Sequence, residues 1–125
     1  ESGLPENYIV LEVLFRKTKS MLNSTIEEKI QNIKNEKKTS QPSGIRTGGS
    51  TFKNPINNKK AWELIKQYGC DKISFGRAKF SQHHCNFIDN TDLASSKDIQ
   101  KLIKETQKIV QKNSGIKLEL EIIIA

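Results

Sequence analysis

Residues 48–55 have the sequence Gly-Gly-Ser-Thr-Phe-Lys-Asn-Pro. The two glycines let the backbone take positive φ values or approach a ligand closely, and Pro55 biases Asn54 toward extended geometry. Ser50, Lys53 and Asn54 then bring a hydroxyl, an ammonium and a carboxamide to one rigid loop. The pattern favours a loop that holds an oxygen-rich or anionic ligand, and a tight turn with a solvated lysine is the alternative.

Three segments outside this loop have apolar residues at helical spacing. Ser24-Thr25-Ile26-Glu27 forms a capping box, and Ser95 begins a second cap signal. Gly69 and Gly115 stand where left-handed C-terminal caps are expected. The predicted helices run over about residues 25–37, 60–68 and 96–113. Trp62, on the second helix, either flanks a cleft or packs on the neighbouring sheet.

Strand signals occupy most of the remaining sequence. Residues 8–16 (YIVLEVLFR) are rich in β-branched and aromatic residues and predict a strand. Shorter strands are predicted at 73–81, where Gly76 weakens the pattern, and at 86–89. The order of helices and strands predicts an α+β fold in which helices pack on one side of a small antiparallel or mixed sheet.

The closing segment alternates between apolar and acidic residues. Because side chains alternate across a strand, Leu118, Leu120 and Ile122 are expected on one side, which leaves Glu119 and Glu121 together on the other. This segment is therefore predicted to be the last strand of the sheet. Without further information, two solvated glutamates on an exposed face are the simplest interpretation.

The composition limits the class of protein. With 125 residues, of which 34% are hydrophobic and 28% charged, the chain fits one soluble globular domain. No apolar run approaches the ~20 residues of a membrane span, and no signal peptide is recognised. A net charge of +7 makes nucleic acid an alternative partner, but the lysines are spread over three stretches, which favours solvated helix faces.

The cysteines and histidines do not predict a metal or disulfide site. Cys70 and Cys85 have no CxxC spacing, so packed thiols in a reducing cytoplasm are expected. In His83-His84-Cys85, adjacent side chains on a strand would point to opposite faces and could not converge on one ion. We therefore expect no metal.

Several motifs, in this order and at these spacings, resemble the C-terminal half of UDP-N-acetylenolpyruvoylglucosamine reductase. The GSTFKNP string is the most specific of them, followed by the closing LELE strand. The others are Gln41-Pro42, AWELI at 61–65, Gly69-Cys70 and SQHHCNFIDN at 81–90. The resemblance runs from about Tyr8 to the end. It implies the α+β substrate-binding domain of that family over residues 21–125 and a remnant of the flavin-binding half over residues 1–20.

The resemblance also implies an activity. The family reduces UDP-N-acetylglucosamine enolpyruvate to UDP-N-acetylmuramate for peptidoglycan synthesis in the cytoplasm, using FAD and NADPH. FAD belongs to the N-terminal half, whose glycine-rich loops this sequence lacks, so the chain is expected to be inactive by itself. A separate flavin-binding chain is one candidate partner. The chain begins with Glu1 and not with Met, so a trimmed chain, a split gene and an inactive remnant remain open.

Two catalytic residues are assigned by the resemblance. Ser50 stands at the position of the family's proton donor, and a serine hydroxyl serves this role only when it is well placed against a strongly basic carbanion. Glu121 matches the family's catalytic glutamate, the second in the Leu-Glu-x-Glu pattern, in preference to Glu119. It is expected to help stabilise the aci-carboxylate formed during reduction.

Four substrate-binding residues are expected from the same resemblance. Asn54 is expected to hydrogen-bond the substrate, and Lys53 is a candidate contact for its diphosphate. The other two candidates, Gln41 and Arg46, are expected to shape the preceding loop.

Overall fold

In the computed structural model, three helices and three short strands follow one another along the described residues, which are 3–4, 8–16, 23–42, 44–56 and 59–124. The helices are α1 (Asn23–Ser40), α2 (Ala61–Gln67) and α3 (Ser96–Ser114), with a short 3-10 helix at Cys70–Lys72. The strands are β1 (Ser74–Phe75), β2 (Ala78–Phe80) and β3 (Ile88–Asp89).

The chain divides into two compact units, residues 1–33 and residues 34–125. None of the described helices is long and apolar enough to cross a membrane.

The three strands form an antiparallel sheet in the order β1-β2-β3. The prediction of one strand over 73–81 is wrong, because this segment folds back on itself as a hairpin between Phe75 and Ala78. Gly76 lies in the turn with φ of +55°, a conformation that glycine adopts at little cost. A side chain at this position would also collide with the carboxylate of Asp98.

The sheet is extended by two isolated bridges beyond β3. Ser50 pairs antiparallel with Phe87, and Phe52 pairs antiparallel with Leu120. The loop at 48–55 therefore lies between the β3 edge and the closing segment. The closing segment was predicted to be a full strand, which is wrong, because its ladder is limited to the single bridge at Leu120. The predicted alternation of burial is confirmed, since Leu118 is fully buried while Glu119 and Glu121 are exposed.

Helix α3 supplies one wall of the core. Its N-cap is Ser95, whose hydroxyl accepts the Asp98 N–H, and Gly115 ends it with φ of +72°, as predicted. Its inner face packs on β1 and β2 and contacts α2. The largest fully buried apolar side chains are Phe52, Leu64, Ile65, Leu102, Ile103, Leu118 and Val110. Burying side chains of this size contributes about 1.5–3 kcal/mol each to folding, before conformational entropy is subtracted.

Helices α1 and α2 also match their predictions. α2 ends before Gly69, which takes the left-handed conformation with φ of +70°. α1 covers the predicted range and continues to Ser40. The side chain of Ser24 lies outside the described residues, so its role as a cap stays a prediction. The predicted α+β fold class is confirmed.

The predicted strand at 8–16 is wrong. These residues have no regular secondary structure, and their apolar side chains are exposed; Leu11 and Leu14 are both 93% exposed. A strand needs a neighbour to pair its backbone groups, and β-propensity alone does not supply one. Residues 17–22, which include the predicted domain boundary after residue 20, lie outside the described residues.

Candidate active site

The backbone of the Ser50 loop is held by Asn86 on one side. The Thr51 N–H donates to the Asn86 carbonyl at 2.7 Å. The Asn86 side chain accepts the Phe52 N–H at 3.0 Å and donates to the Phe52 carbonyl at 2.8 Å. The oxygen and the nitrogen of the buried Asn86 carboxamide thus both pair with the backbone of Phe52. Neither atom is left without a hydrogen bond, which would destabilise the fold.

The closing segment holds the other side of the same loop. The Glu121 N–H donates to the Thr51 carbonyl at 3.0 Å, and the Lys53 N–H donates to the Glu119 carbonyl at 2.9 Å. Three of the predicted site residues, Ser50, Lys53 and Glu121, are therefore on adjacent segments. Sequence reasoning placed them in one site through the family resemblance, and the hydrogen bonds bring their backbones together.

The side chains of Ser50 and Glu121 are available for a ligand. Ser50 is half-buried, and its hydroxyl makes no hydrogen bond within the described residues. Glu121 and Glu119 are both exposed, and neither carboxylate forms an ion pair with another described residue. The geometry therefore does not distinguish the two glutamates. The structure shows that the two segments carrying Ser50 and the glutamates are joined through their backbones.

Asn54 has a structural partner as well as a predicted ligand. Its side-chain oxygen accepts the N–H of Ala61, the first residue of α2, at 3.0 Å. This N–H is one of the helix-terminal donors that have no partner inside the helix. The bond fixes the end of the loop to α2, while the amide nitrogen of Asn54 makes no hydrogen bond to another described residue and can still donate to a substrate.

Gln41 and Arg46 each form a backbone hydrogen bond outside the Ser50 loop. The Gln41 N–H donates to the Lys37 carbonyl at 2.8 Å, which places it at the C-terminal end of α1. The Arg46 carbonyl accepts the Asn90 N–H at 2.8 Å. Arg46 lines a cavity of about 380 Å³ that adjoins the Ser50 loop, because Gly48, Gly49 and Thr51 also line it.

A larger cavity lies beside the loop and was missed by the sequence analysis. It measures about 500 Å³ and is lined by Trp62, Lys66, Asp71, Ser81, Gln82, His83, His84 and Cys85. It adjoins the loop because the His84 ring contacts the ring of Phe87, which pairs with Ser50. Trp62 is 38% exposed and lines this cavity. Of the two predicted positions, at a cleft or packed on the sheet, the structure favours the cleft. A signal was present in the aromatic and charged residues of 62–66 and 81–85, but only the fold brings them together.

Burial shifts the pKa of one histidine and of two cysteines in or near this cavity. Burial lowers the pKa of His84, whose Nδ1 accepts the Asn86 N–H at 3.3 Å and must be unprotonated to do so. Burial, and then the negative charge of Asp71, raises the pKa of Cys70 to about 11 and also raises that of Cys85. Both cysteines are free and buried, which confirms packed thiols. They are poor nucleophiles at neutral pH.

The described residues hold no group of three or more histidine, cysteine, aspartate or glutamate side chains that could bind a metal ion. One carboxylate oxygen of Asp71 is buried without a hydrogen-bond partner among the same residues.

Comparison with known proteins identifies the family. A family model described as the C-terminal domain of UDP-N-acetylenolpyruvoylglucosamine reductase matches residues 41–125. The chain belongs to this family. Of its curated relatives, the reductase of Pelagibacter ubique is 44% identical over 97% of the chain, and that of Rhizorhabdus wittichii is 43% identical over 97%.

The solved structure of the reductase from Thermus caldophilus has the same domain fold. It matches 78% of the chain with a TM-score of 0.63 and 32% sequence identity, and the match covers 34% of that chain. The chain spans 40% of the length of the Pelagibacter ubique reductase and 39% of the Rhizorhabdus wittichii reductase. The comparisons do not favour the nucleic-acid alternative.

Proposed function

We propose that this chain is the substrate-binding and proton-donating part of an enzyme that reduces UDP-N-acetylglucosamine enolpyruvate to UDP-N-acetylmuramate. The observation that carries the proposal is the pairing of the Ser50 loop with the closing segment, through the Glu121 N–H and the Thr51 carbonyl at 3.0 Å. Membership in the reductase family supplies the reaction. The setting would be peptidoglycan synthesis in the cytoplasm.

In the proposed reaction, FAD reduced by NADPH would supply the hydride. We place the flavin site outside this chain, because the relatives continue well beyond the part that it covers. The rest of a longer protein, or a separate chain, would hold the flavin, and this chain alone would be inactive. Its own residues then have to bind the substrate, stabilise the negative charge that develops on it, and deliver a proton.

Ser50 would deliver the proton to C2 of the substrate. When C3 has received the hydride, C2 carries a carbanion that is delocalised into the neighbouring carboxylate. The O–H bond of Ser50 breaks as the C2–H bond forms, so the product gains one hydride and one proton. The Ser50 alkoxide that remains would then take up a proton from solvent. A hydroxyl that is not engaged in another hydrogen bond is free to turn toward C2.

Glu121 would act on the carboxylate of the substrate. In the aci-carboxylate, negative charge concentrates on the carboxylate oxygens, so a protonated Glu121 could donate a hydrogen bond to them. A carboxyl group that is protonated at neutral pH needs surroundings that disfavour its charge. In the chain described here Glu121 is exposed, so bound substrate and the flavin-binding part would have to supply these surroundings.

The nucleotide end of the substrate would occupy the cavity beside Trp62. An aromatic ring at the cavity wall offers a stacking surface for a uracil base, and Lys66 offers a positive charge for a diphosphate. Asn54 lies at the end of the Ser50 loop and would hydrogen-bond the part of the substrate nearer to Ser50. Its neighbour Lys53 would offer a second positive charge to the diphosphate. In this proposed arrangement the reacting carbon would lie near the Ser50 loop and the nucleotide near α2.

The test is Ser50→Ala in an active full-length protein, made by joining this chain to the N-terminal part of the Pelagibacter ubique reductase. Reduction of the flavin by NADPH should be unchanged, because it does not involve the proton donor. Reoxidation of the flavin by the enolpyruvyl substrate should slow by about 10²- to 10⁴-fold in stopped-flow measurements. Ser74→Ala, in exposed β1, is the control and should reoxidise normally. An unchanged rate in Ser50→Ala would contradict the proposal.

A further inference from the structure

The Asn86 side chain occupies a position that a neighbouring backbone would take in a regular ladder. Its oxygen accepts the Phe52 N–H, and its nitrogen donates to the Phe52 carbonyl. Asn86 is 5% exposed, so water does not compete for these bonds. Its own carbonyl accepts the Thr51 N–H, so one residue supplies three hydrogen bonds to the two residues that follow Ser50.

These bonds determine where the loop meets the closing segment. Thr51 is bonded through its N–H to Asn86 and through its carbonyl to the N–H of Glu121. Thr51, the residue next to Ser50, therefore links Asn86 to Glu121 through its two backbone hydrogen bonds. If the Phe52 peptide loses its partner, the Ser50 backbone can shift relative to Glu121.

We propose that Asn86 is a positioning residue that sets the placement of Ser50 relative to Glu121, and this inference rests on the function proposed above. Asn86 does not touch the reacting atoms, and its effect would pass through Ser50. A misplacement of about 1 Å in a reacting group can cost about 10²-fold in rate. A carboxamide suits this role because it offers one donor and one acceptor in a fixed plane.

The test is a double-mutant cycle in the active full-length fusion. Asn86→Ala should slow substrate-driven reoxidation of the flavin by about 10²-fold and leave reduction by NADPH unchanged. Because Asn86 acts through Ser50, adding Asn86→Ala to Ser50→Ala should slow the reaction by less than about threefold more. A purely structural loss would instead multiply with the effect of Ser50→Ala.

A second variant, Asn86→Asp, tests the inference even if Asn86→Ala fails to fold. In Asn86→Asp, the ionised carboxylate can accept the Phe52 N–H but cannot donate to the Phe52 carbonyl. A protonated carboxyl group can do both. The rate of Asn86→Asp relative to the unsubstituted fusion should therefore rise as the pH is lowered, and a flat ratio would overturn the inference.

A stability control separates positioning from general weakening. Val110→Ala removes fully buried side-chain volume from α3 and should lower the urea concentration at the midpoint of unfolding without changing the reoxidation rate of folded enzyme. An equal loss of rate in Val110→Ala and Asn86→Ala would overturn the inference, as would a normal rate in Asn86→Ala.

If Ser50→Ala slows reoxidation and Asn86→Ala does not, only the inference about Asn86 fails. If Ser50→Ala itself has no effect, the proposed function fails with it.

Discussion

The backbone N–H of Glu121 donates a hydrogen bond of 3.0 Å to the carbonyl of Thr51. This contact joins two segments that are far apart in the sequence, and Thr51 directly follows Ser50. The segments that carry the proposed proton donor and the proposed carboxyl group are therefore held together by backbone hydrogen bonds, this one and the bond from the Lys53 N–H to the Glu119 carbonyl. The relative position of the two groups depends on how firmly Thr51 and Phe52 are fixed, which is the task assigned to Asn86.

The two glutamates of the closing segment can be separated by matched substitutions. Glu121→Gln should slow reoxidation of the flavin by the enolpyruvyl substrate far more than Glu119→Gln does. The amide keeps the size of the side chain and removes the acid, so packing is preserved while the proposed proton and charge roles are lost. Stopped-flow rates in the full-length fusion measure both variants. A larger effect at Glu119 would mean that the assignment of the catalytic glutamate is off by two residues.

Substrate binding can be followed in the chain by itself. Trp62 is the single tryptophan and lines the cavity proposed for the nucleotide, so adding UDP should change the intrinsic fluorescence. Lys66→Met keeps most of the apolar stem and removes the charge, which should weaken UDP binding by about fivefold, the effect of about 1 kcal/mol at an exposed pair. The matched control is Lys104→Met on the exposed face of α3, which should bind UDP normally. Equal weakening in both variants would point to non-specific attraction by net charge.

Local signals in the sequence predicted the helices well. Ser95 and Gly115 determine the ends of α3 through hydrogen bonds and φ angles that depend on a few neighbouring residues. The role of Asn86 could not be predicted, because its partner is Phe52, on a distant segment. The strand expected at 8–16 failed for a related reason, since strand formation requires a partner strand. The cavity beside Trp62 likewise draws on three segments that only the fold brings together.

The turn at Gly76 should be unusually sensitive to substitution. Gly76→Ala would place a Cβ atom 2.5 Å from a carboxylate oxygen of Asp98, which also accepts the Ser95 hydroxyl at 2.8 Å in the cap of α3. The substitution would strain a positive φ and disturb the cap, so the free energy of unfolding should fall by about 2 kcal/mol. Gly115→Ala, also at positive φ but with open space around the Cβ position, should lose about 1 kcal/mol. Urea denaturation measures both, and equal losses would argue against the contact with Asp98.

Replacing Thr106 should stabilise the domain. Thr106 is fully buried in α3, and its hydroxyl has no hydrogen-bond partner among the described residues. Thr106→Val keeps the shape and removes the unsatisfied polar group, so the free energy of unfolding should rise by about 1 kcal/mol. Thr91→Val is the opposite case, because the Thr91 hydroxyl donates to Asp89 at 2.6 Å, and it should be destabilising. A loss of stability in Thr106→Val would indicate that the hydroxyl has a partner after all.

The last prediction concerns acidification. Burial lowers the pKa of His84 from its usual value of 6.5, so in the folded protein the ring stays neutral at pH values where the unfolded chain already binds a proton. Above about pH 6.5 both states are neutral and His84 adds no pH dependence. As the pH falls below 6.5, the unfolded state gains the proton first, so the free energy of unfolding should decrease until the folded-state pKa is passed. Protonation would also remove the acceptor for the Asn86 N–H.

Adjacent histidines provide the control for this prediction. His84→Asn places a side-chain oxygen near the position of Nδ1, so it can accept the Asn86 N–H without titrating. Urea unfolding at pH 7.5, 6.5 and 5.5 should therefore show a smaller loss of stability on acidification for His84→Asn than for the unsubstituted chain. His83→Asn, at the exposed neighbouring position, should keep the original pH dependence. If His83→Asn removes the pH dependence and His84→Asn does not, His84 is not the group whose burial makes the fold sensitive to acid.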